Sequence, residues 1–517
     1  MQSILVDPSN TIPRQRSQNL RLPDEEQGLD DEKRSQSRSP LPKVISPGAE
    51  SQTRRRFREI SQELSQSLKI QENKQELLKF WDQWTRKGKR KIGVVESLKA
   101  IVFSSWLNIF LVFIPLAWVS HFFWGNTTTF VLCFFAIIPL ERLFDWGGEQ
   151  MAYYLGKDIG DLVVITLNNA VEATLAILLL KKCELVLLKS TIIGVVILHL
   201  LLVPGTAFVT GGVRIIQQDL HPHLTQLNHS LLTIGVLTLL IPASFFASMD
   251  SPVAIQTSIQ KVISDDTRHM LLQMSRGLAV ILLVVYVCSR IYLHNPPGDE
   301  NDLASAPLAP DALKEHALRL QNEDPEVNQY VCIAMLAICI GLMAATAEWL
   351  VESIEFVRES HIKQEWFGLI LLPIVSFAAD GTVAVVYFIR YTFRHFFREP
   401  TPPTTLARAE AIDLSIQFVL FWMPLFVLIG WWTNKPMTLL FETFEVAVLV
   451  GSCFLVNYVT ADSKTNWAEG AAMVCFYCMI ALCSWFYDGQ VDVQVLSSCG
   501  TVEETLANYL ATGTLSE

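Results

Sequence analysis

The chain has 517 residues, of which 51% are hydrophobic and 18% are charged, and its formal net charge is −11. With a mean hydropathy of +0.33, this composition excludes an ordinary soluble domain and predicts an all-α polytopic membrane protein. The net charge is a poor guide to partners because the basic residues are concentrated in a few loops, and no nucleic-acid partner is expected.

The first 95 residues are predicted to be a cytosolic tail. The beginning of this tail is rich in Ser, Pro, Gln, Asp and Arg and cannot bury a core, so we expect it to be partly disordered. No signal peptide precedes the first apolar run, near Val95. A basic amphipathic segment at 54–91 has apolar residues at helical spacing, which is typical of a helix on a membrane surface or of a solvated helix.

Hydropathy predicts eleven transmembrane helices, arranged as one N-terminal helix plus two inverted five-helix repeats. The apolar segments lie at about 97–119, 129–154, 160–181, 188–211, 229–248, 268–292, 329–355, 366–391, 407–431, 438–460 and 466–487. The first transmembrane half is therefore 97–292 and the second is 329–487. A cytosolic linker at 293–328 joins the halves, and 488–517 is a lumenal C-terminal tail.

The third apolar segment contains an acid. In GDLVVITLNNAVE, Glu172 follows Asn168 and Asn169 in the middle of a predicted helix. A carboxylate there costs about 2.5–3.5 kcal/mol, so an intramembrane acid is mostly functional. On one continuous helix the two amides and the carboxylate share a face, and this pattern predicts part of a cation site.

The eighth segment repeats this layout. GLILLPIVSFAAD keeps the interval from Gly160 to Glu172 and ends on Asp380. Two such copies predict an internal repeat, and repeats with ionisable groups near the midplane are typical of secondary transporters. The alternative is that neighbouring polar groups satisfy each acid separately. The other corresponding residues are Ser376 and Phe377 with Asn168 and Asn169, and the upstream acids Glu149 and Glu348.

The next helix in each half carries a proline, Pro204 in HLLLVPG and Pro424 in FWMPLF, which frees a backbone carbonyl or kinks the helix. Most of the ten cysteines lie in apolar segments, where we expect them to pack as small hydrophobic residues without a disulfide framework. No metal or redox role is predicted for the CxxC of Cys475 and Cys478.

Basic residues predict the orientation. The tail before the first helix and the loop after the eighth are rich in Lys and Arg, whereas the last thirty or so residues are acidic and polar. The N-terminus is therefore expected in the cytosol and the C-terminus in a lumen. Lys181, Lys182 and Lys189 lie on the opposite side and disagree with this orientation.

Several ordered segments, covering about 97–487, resemble the cation/proton exchangers of the calcium/cation antiporter superfamily, usually called calcium/proton exchangers. They include IIPLERLF, GDLVVITLNNAVE, HLLLVPGTAFVTGG, FGLILLPIVSFAADG and FETFEVAVLVGSCFLVNYVTADSKTNWAEG. The resemblance implies eleven membrane helices and exchange of cytosolic calcium for lumenal protons across a vacuolar or similar endomembrane. Inorganic cations, protons and the lipid bilayer are then the partners; no cofactor and no enzyme activity are predicted, and a homo-oligomer is compatible with the sequence.

The chain departs from the family pattern in its second half. There Phe377 replaces an amide, Asp380 replaces Glu, and Gly381 stands where the family tends to have His. The predicted cation- and proton-binding residues are Glu172, Asp380, Asn169, Asn168, Ser376, Ser415 and Gln417, with Glu172 and Asp380 as the metal ligands. The predicted gating or access residues are Glu149, Glu348, Phe377, His199 and Asp413.

Three alternatives remain open at this point. A sodium or potassium/proton exchanger keeps the fold, and the lost second amide favours it, because calcium prefers six to eight oxygens. A non-transporting regulatory relative with a degenerate site is supported by Phe377 and opposed by the two retained acids. An intramembrane hydrolase is the weakest alternative, because neither metal-ligand spacing nor a nucleophile accompanies the acids.

Overall fold

The computed structural model describes residues 81, 84–85, 92–212, 217–220, 222–249, 263–294, 324–353, 362–375, 378, 381 and 410–512. These residues are mostly helical, which confirms the predicted class in its coarse form. Most of the basic amphipathic segment and most of the linker lie outside the described residues. So do three predicted site residues, Ser376, Phe377 and Asp380.

The secondary structure of the described residues consists of helices and one short strand pair. In chain order, the α-helices are α1 (Val94–Phe103), α2 (Phe113–Phe123), α3 (Asn126–Leu155), α4 (Lys157–Asn168), α5 (Ala170–Lys182), α6 (Leu185–Ile197), α7 (Val203–Gly212), α8 (Pro222–Met249), α9 (Asp265–His294), α10 (Gln329–Glu352), α11 (Gln364–Trp366), α12 (Glu410–Gln417), α13 (Met423–Trp432), α14 (Thr443–Val459), α15 (Trp467–Trp485), α16 (Val491–Ser497) and α17 (Val502–Thr512). A 3₁₀-helix spans Trp106–Val112, and π-helices span Leu198–Leu202, Phe367–Leu371 and Phe418–Trp422. Strands β1 (Gln218–Asp219) and β2 (Lys464–Thr465) pair antiparallel, with Gln218 opposite Thr465.

Within the described ranges, eight helices are long and apolar enough to cross a membrane. A bent pair, Leu162–Asn168 with α5, passes the same test together. Two shorter apolar helices, Gln364–Val375 and Thr443–Val459, complete the set. Each of these helices overlaps one of the predicted apolar segments.

The first predicted helix, 97–119, is wrong in detail, because the chain breaks after α1. Ser105 accepts a hydrogen bond from the backbone N–H of Leu107 and so begins the 3₁₀-helix. Asn108 donates from Nδ2 to the carbonyl of Ile101 at 2.9 Å and so satisfies the end of α1. Side-chain caps of this kind favour a new helix start over continuation. The span is therefore Trp106–Phe123.

The predicted continuous helix at 160–181 is also wrong, because it is broken at Asn169. The backbone of Asn169 has φ −96° and ψ 6°, and α4 and α5 meet at 52°. Glu172 consequently lies in the first turn of a new helix, and Asn168 ends the previous one. Broken helices are tolerated inside membranes where protein surrounds the break, and Asn169 is fully buried.

The helices that carry Pro204 and Pro424 have the same internal pattern. Each contains a five-residue π-helix that begins six residues before the proline. The backbone N–H of Val203 accordingly bonds the carbonyl of Leu198, and that of Met423 bonds the carbonyl of Phe418. A proline removes a backbone donor and so permits this irregular turn. The π-helix Phe367–Leu371 also begins six residues before a proline, Pro373, so three helices share this pattern, and two of them correspond in the predicted repeat.

The two ends of the helix bundle carry different features. The β1–β2 pair joins the loop after α7 to the loop after α14 at what we call the strand end. At the opposite end a disulfide joins Cys183, directly after α5, to Cys499, between α16 and α17. We call this the disulfide end. The expectation of no disulfide concerned the cysteines inside apolar segments, and both members of this pair lie outside them, so the disulfide was not predicted.

Candidate functional site

Glu172 lies inside the bundle, in the wall of a cavity of about 20 Å³. Its side chain is 4% exposed. The position in the first turn of α5 favours a negative charge, because the helix dipole is positive there. The rest of the cavity wall is mostly apolar and is drawn from both halves: Ile137, Val171, Leu175, Thr191, Val195, Met343, Ala347, Leu350, Leu372 and Val375.

Asn169 connects the first half to the second through its side chain. Its Nδ2 donates to Oε1 of Gln417 at 2.7 Å, and both side chains are buried. Gln417 in turn donates from Nε2 to the hydroxyl of Thr166 and to that of Tyr286, each at 3.0 Å. The amide of Gln417 is therefore fixed by three partners: Thr166 on α4, Asn169 at the break after α4, and Tyr286 on α9.

The two consecutive amides also present oxygen atoms. Oδ1 of Asn168 and Oδ1 of Asn169 are buried and have no hydrogen-bond partner within the described part of the chain. Buried polar atoms are normally satisfied, so an unsatisfied pair of this kind is often functional. Amide oxygens and carboxylates are the ligand types that calcium prefers. These two oxygens therefore have the ligand chemistry that the predicted cation site needs.

Ser415 on α12 lies against α6, the helix after the one that carries Glu172. Its hydroxyl is fully buried and lies 3.4 Å from the carbonyl of Val196 and 3.3 Å from that of Ala411. Ser415 and Gln417 thus both contact the first half of the chain.

The second-half motif begins at the same cavity. Val375, the last described residue before Ser376, lines the cavity together with Glu172. The helix approaches α6 at backbone contact: a Cβ on Gly194 would meet the carbonyl of Leu369, and a Cβ on Gly368 would lie 2.8 Å from Cβ of Ser190. The crossing therefore needs glycine in both helices.

Asp413 is paired with a cation that the sequence reading missed. Its carboxylate accepts hydrogen bonds from Arg290 at 3.0 Å and 3.3 Å. The guanidinium of Arg290 also lies 4.9 Å from the centre of the Tyr286 ring. An ionisable residue inside the apolar segment of α9 was the available signal, since such residues almost always have a partner.

Three other predicted access residues lie on α3, on α10 and in the first π-helix. Glu149 is exposed on α3, and Glu348 lies on α10, 3.9 Å from Lys181. His199 is buried in the first π-helix, and its Nδ1 has no hydrogen-bond partner among the residues that the structure describes.

The sequence comparisons identify the family. The model of the sodium/calcium exchanger protein family matches residues 125–293 and 331–486, which is more than half of the chain. The chain belongs to this family. The predicted resemblance to calcium/proton exchangers is likewise confirmed.

Curated relatives of this exchanger cover most of its length. A vacuolar calcium ion transporter of Cryptococcus neoformans is 32% identical over 477 residues, 77% of each chain. One of Schizosaccharomyces pombe is 32% identical over 406 residues, 77% of this chain and 88% of its own. A Ca²⁺/H⁺ antiporter of Synechocystis is 29% identical over 388 residues, which are 73% of this chain and 96% of its own. The solved structure of native YfkE has a TM-score of 0.55 at 20% identity, covering 74% of this chain and all of its own, which supports the fold.

Proposed function

We propose that this exchanger is a proton-coupled calcium antiporter of a vacuolar membrane, which exchanges cytosolic calcium for lumenal protons by alternating access. The observation that carries the proposal is the position of Glu172 in the first turn of a broken, buried half-helix, next to amides that bridge the two halves. The similarity to two vacuolar calcium ion transporters and to the Ca²⁺/H⁺ antiporter of Synechocystis supports calcium and proton as the two ions.

The proposed mechanism rests on competition for carboxylate oxygens. A buried carboxylate favours the protonated form, whereas a bound cation favours the ionised form. One occupant of Glu172 therefore excludes the other, which couples calcium to protons. The proposed partner of Glu172 in this role is Asp380, and the proposed neutral ligands are the oxygens of Asn168, Asn169, Ser376, Ser415 and Gln417.

We infer that Phe377 acts as a gate or fills part of the site. Glu149 and Glu348 then act as access acids at opposite ends. Glu348 lies near Lys181, close to the disulfide end. Glu149 lies near the C-terminal end of α3. Asp413 is proposed to act through its pair with Arg290 rather than as an isolated acid.

We propose the full architecture of eleven membrane helices in two inverted five-helix repeats after one N-terminal helix. Two observations support it. Each predicted segment has an apolar helix or bent pair in the structure. The π-helix and proline also recur at the same spacing in the fourth and ninth helices, counted by the predicted order.

The proposed orientation puts the disulfide end in the lumen. Disulfides persist in oxidising compartments and are rare in the cytosol, which supports this choice. Two of the three lysines that disagreed with the orientation are explained by their contacts. Lys182 donates to Glu352 at 2.8 Å, and Lys189 is buried with three hydrogen-bond acceptors. Neither is a free loop cation of the kind that sets topology.

The test is calcium-driven proton efflux from sealed, acid-inside vesicles that contain the purified protein and a trapped pH dye. We expect efflux with calcium, and loss of at least about 90% of the rate in Glu172→Gln and in Asp380→Asn, because removing a charged ligand from a buried ion site costs several kcal/mol. Both substitutions keep the shape of the side chain.

Sodium and potassium are tested in the same vesicles. Efflux with these ions but not with calcium would assign monovalent exchange, which Phe377 in place of an amide would favour. No efflux with any ion, in vesicles that hold their gradient, would contradict the antiporter proposal.

A further inference from the structure

A second group of buried carboxylates lies at the disulfide end, apart from Glu172. Glu442 and Glu445 begin α14 and are 3% and 2% exposed. With Ser190 and Lys189 of α6, they line a small cavity of about 10 Å³. Glu365 joins them through Gln494, whose Nε2 donates to Glu365 at 2.6 Å and to Glu442 at 3.4 Å.

Part of this group has an ordinary structural role. Glu442 caps α14, and Glu445 reaches back to the backbone N–H of Glu442 at 3.4 Å, so the two form a capping box. The capping box uses only some of the oxygens. Oε2 of Glu442 and Oε1 of Glu445 are buried without a hydrogen-bond partner among the described residues.

The neighbouring cation does not satisfy these oxygens. Lys189 donates its three ammonium hydrogens to Thr438, the carbonyl of Leu440 and Ser497, at 2.7–3.0 Å. An ammonium has three donors, so none remains for the carboxylates. Among the residues that the structure describes, the other titratable or charged groups that face the cluster are Tyr487, beside Glu442, and the outer pair of Asp488 with Lys363 at 2.7 Å.

Protons are the occupants that this arrangement fits. Within the described ranges, three carboxylates face one buried ammonium, which leaves an excess of two, and buried charges without compensation neutralise by binding protons. A metal ion fits poorly beside Lys189, and the described residues contain no group of three metal-ligating side chains.

The cluster has a route towards Glu172. Ser190 faces the carboxylate of Glu445 across the small cavity. The next residue, Thr191, lines the larger cavity that contains Glu172. Consecutive residues of α6 therefore border the carboxylate cluster and the Glu172 cavity.

We propose that Glu442 and Glu445 form a second proton-binding site, which takes up protons at the disulfide end and passes them towards Glu172. In the transfer step, the O–H bond of Glu445 breaks as an O–H bond forms on the Ser190 hydroxyl. That hydroxyl releases its own proton towards Glu172, which ends protonated while Glu445 ends ionised. The proposal rests on the proposed antiport.

The test is the dependence of calcium-driven proton efflux on the pH inside vesicles, with calcium added outside. In Glu445→Gln we expect efflux to be about tenfold slower and its dependence on internal pH to be flattened, because a positioned proton carrier is lost. The KM for calcium should stay unchanged, since Glu172 and its amides are intact. Glutamine can replace glutamate in a capping box, so the start of α14 is retained.

The matched control is Glu469→Gln, which changes the capping-box acid of α15 at the strand end. We expect normal efflux with this variant. If Glu445→Gln fails to fold, judged by melting in detergent, Glu442→Gln carries the same expectation. An unchanged pH profile, or an equal loss in the Glu469 variant, would overturn the second site. Glu172→Gln separates the two proposals, because efflux that survives in that variant would contradict the antiport site itself.

Discussion

Arg290 and Asp413 form an ion pair inside the bundle, with side chains that are only 12% and 16% exposed. Tyr286 lies one turn before Arg290 on α9, and Gln417 lies one turn after Asp413 on α12. The two helices are therefore joined by two contacts, the ion pair and the 3.0 Å hydrogen bond from Gln417 to Tyr286. Because Gln417 also bonds Asn169, we expect the ion pair to keep the bridging amide in position.

We expect Asp413→Asn to lower the free energy of unfolding by about 1–3 kcal/mol, because it leaves a mostly buried guanidinium without its charged partner. The measurement is the melting temperature in detergent. The double variant with Arg290→Gln should recover part of the loss, since neither charge is then isolated. Glu352→Gln breaks the more exposed pair with Lys182 and should cost less than about 1 kcal/mol. A double variant no more stable than Asp413→Asn would contradict this account.

At the scale of elements, the crossing of α6 with the Phe367–Leu371 π-helix sets the distance between the halves. Gly194 lies against the backbone of Leu369, and Gly368 lies against Ser190 and Leu187. Close approach through small residues is common between membrane helices, where backbones pack directly. This crossing holds the helix that leads to Ser376 beside α6, which follows the helix that carries Glu172.

We expect Gly194→Ala to prevent normal packing, because the added Cβ would collide with a backbone carbonyl rather than with a flexible side chain. The measurement is the yield of monodisperse protein in size-exclusion chromatography, which should fall severely. Gly341→Ala is the matched control, because a Cβ on this helical glycine meets nothing within 4 Å. It should be neutral or stabilising by about 1 kcal/mol, since alanine is the better helix former. Equal yields from both variants would exclude the tight crossing.

At the scale of the whole molecule, hydropathy predicts where helices lie because long apolar runs are a strong signal. Glu172 was also predictable, because an acid in such a run is rare. The break at Asn169 was not, since the partner of its side chain, Gln417, lies 248 residues away. Arg290 gave a signal in its segment, but its pairing with Asp413 depends on the packing of α9 against α12.

The disulfide belongs to the same scale, because it joins segments 316 residues apart. Cys183 ends the helix that carries Glu172, and Cys499 is flanked by Ser498 and Gly500, whose carbonyls accept hydrogen bonds from Arg268 of α9. The C-terminal helices are thus attached to α5 covalently and to α9 by hydrogen bonds. Spacing in the sequence cannot reveal such a pair, since connectivity depends on the fold.

We expect Cys499→Ser to lower the stability by roughly 2–4 kcal/mol, the usual effect of losing a structural disulfide. Cys183→Ser and the double variant should match it, since either change removes the same bond. Cys288→Ser, at an exposed free cysteine, is the control and should leave the melting temperature unchanged.

The same variant tests the orientation. In intact vacuoles, the Cys183 thiol that Cys499→Ser leaves free should resist an impermeant maleimide added from the cytosol and should react once the membrane is opened. Labelling from the cytosolic side would contradict the proposed orientation, because both cysteines lie at one end of the bundle. That end is expected in the lumen, since a stable disulfide needs an oxidising compartment.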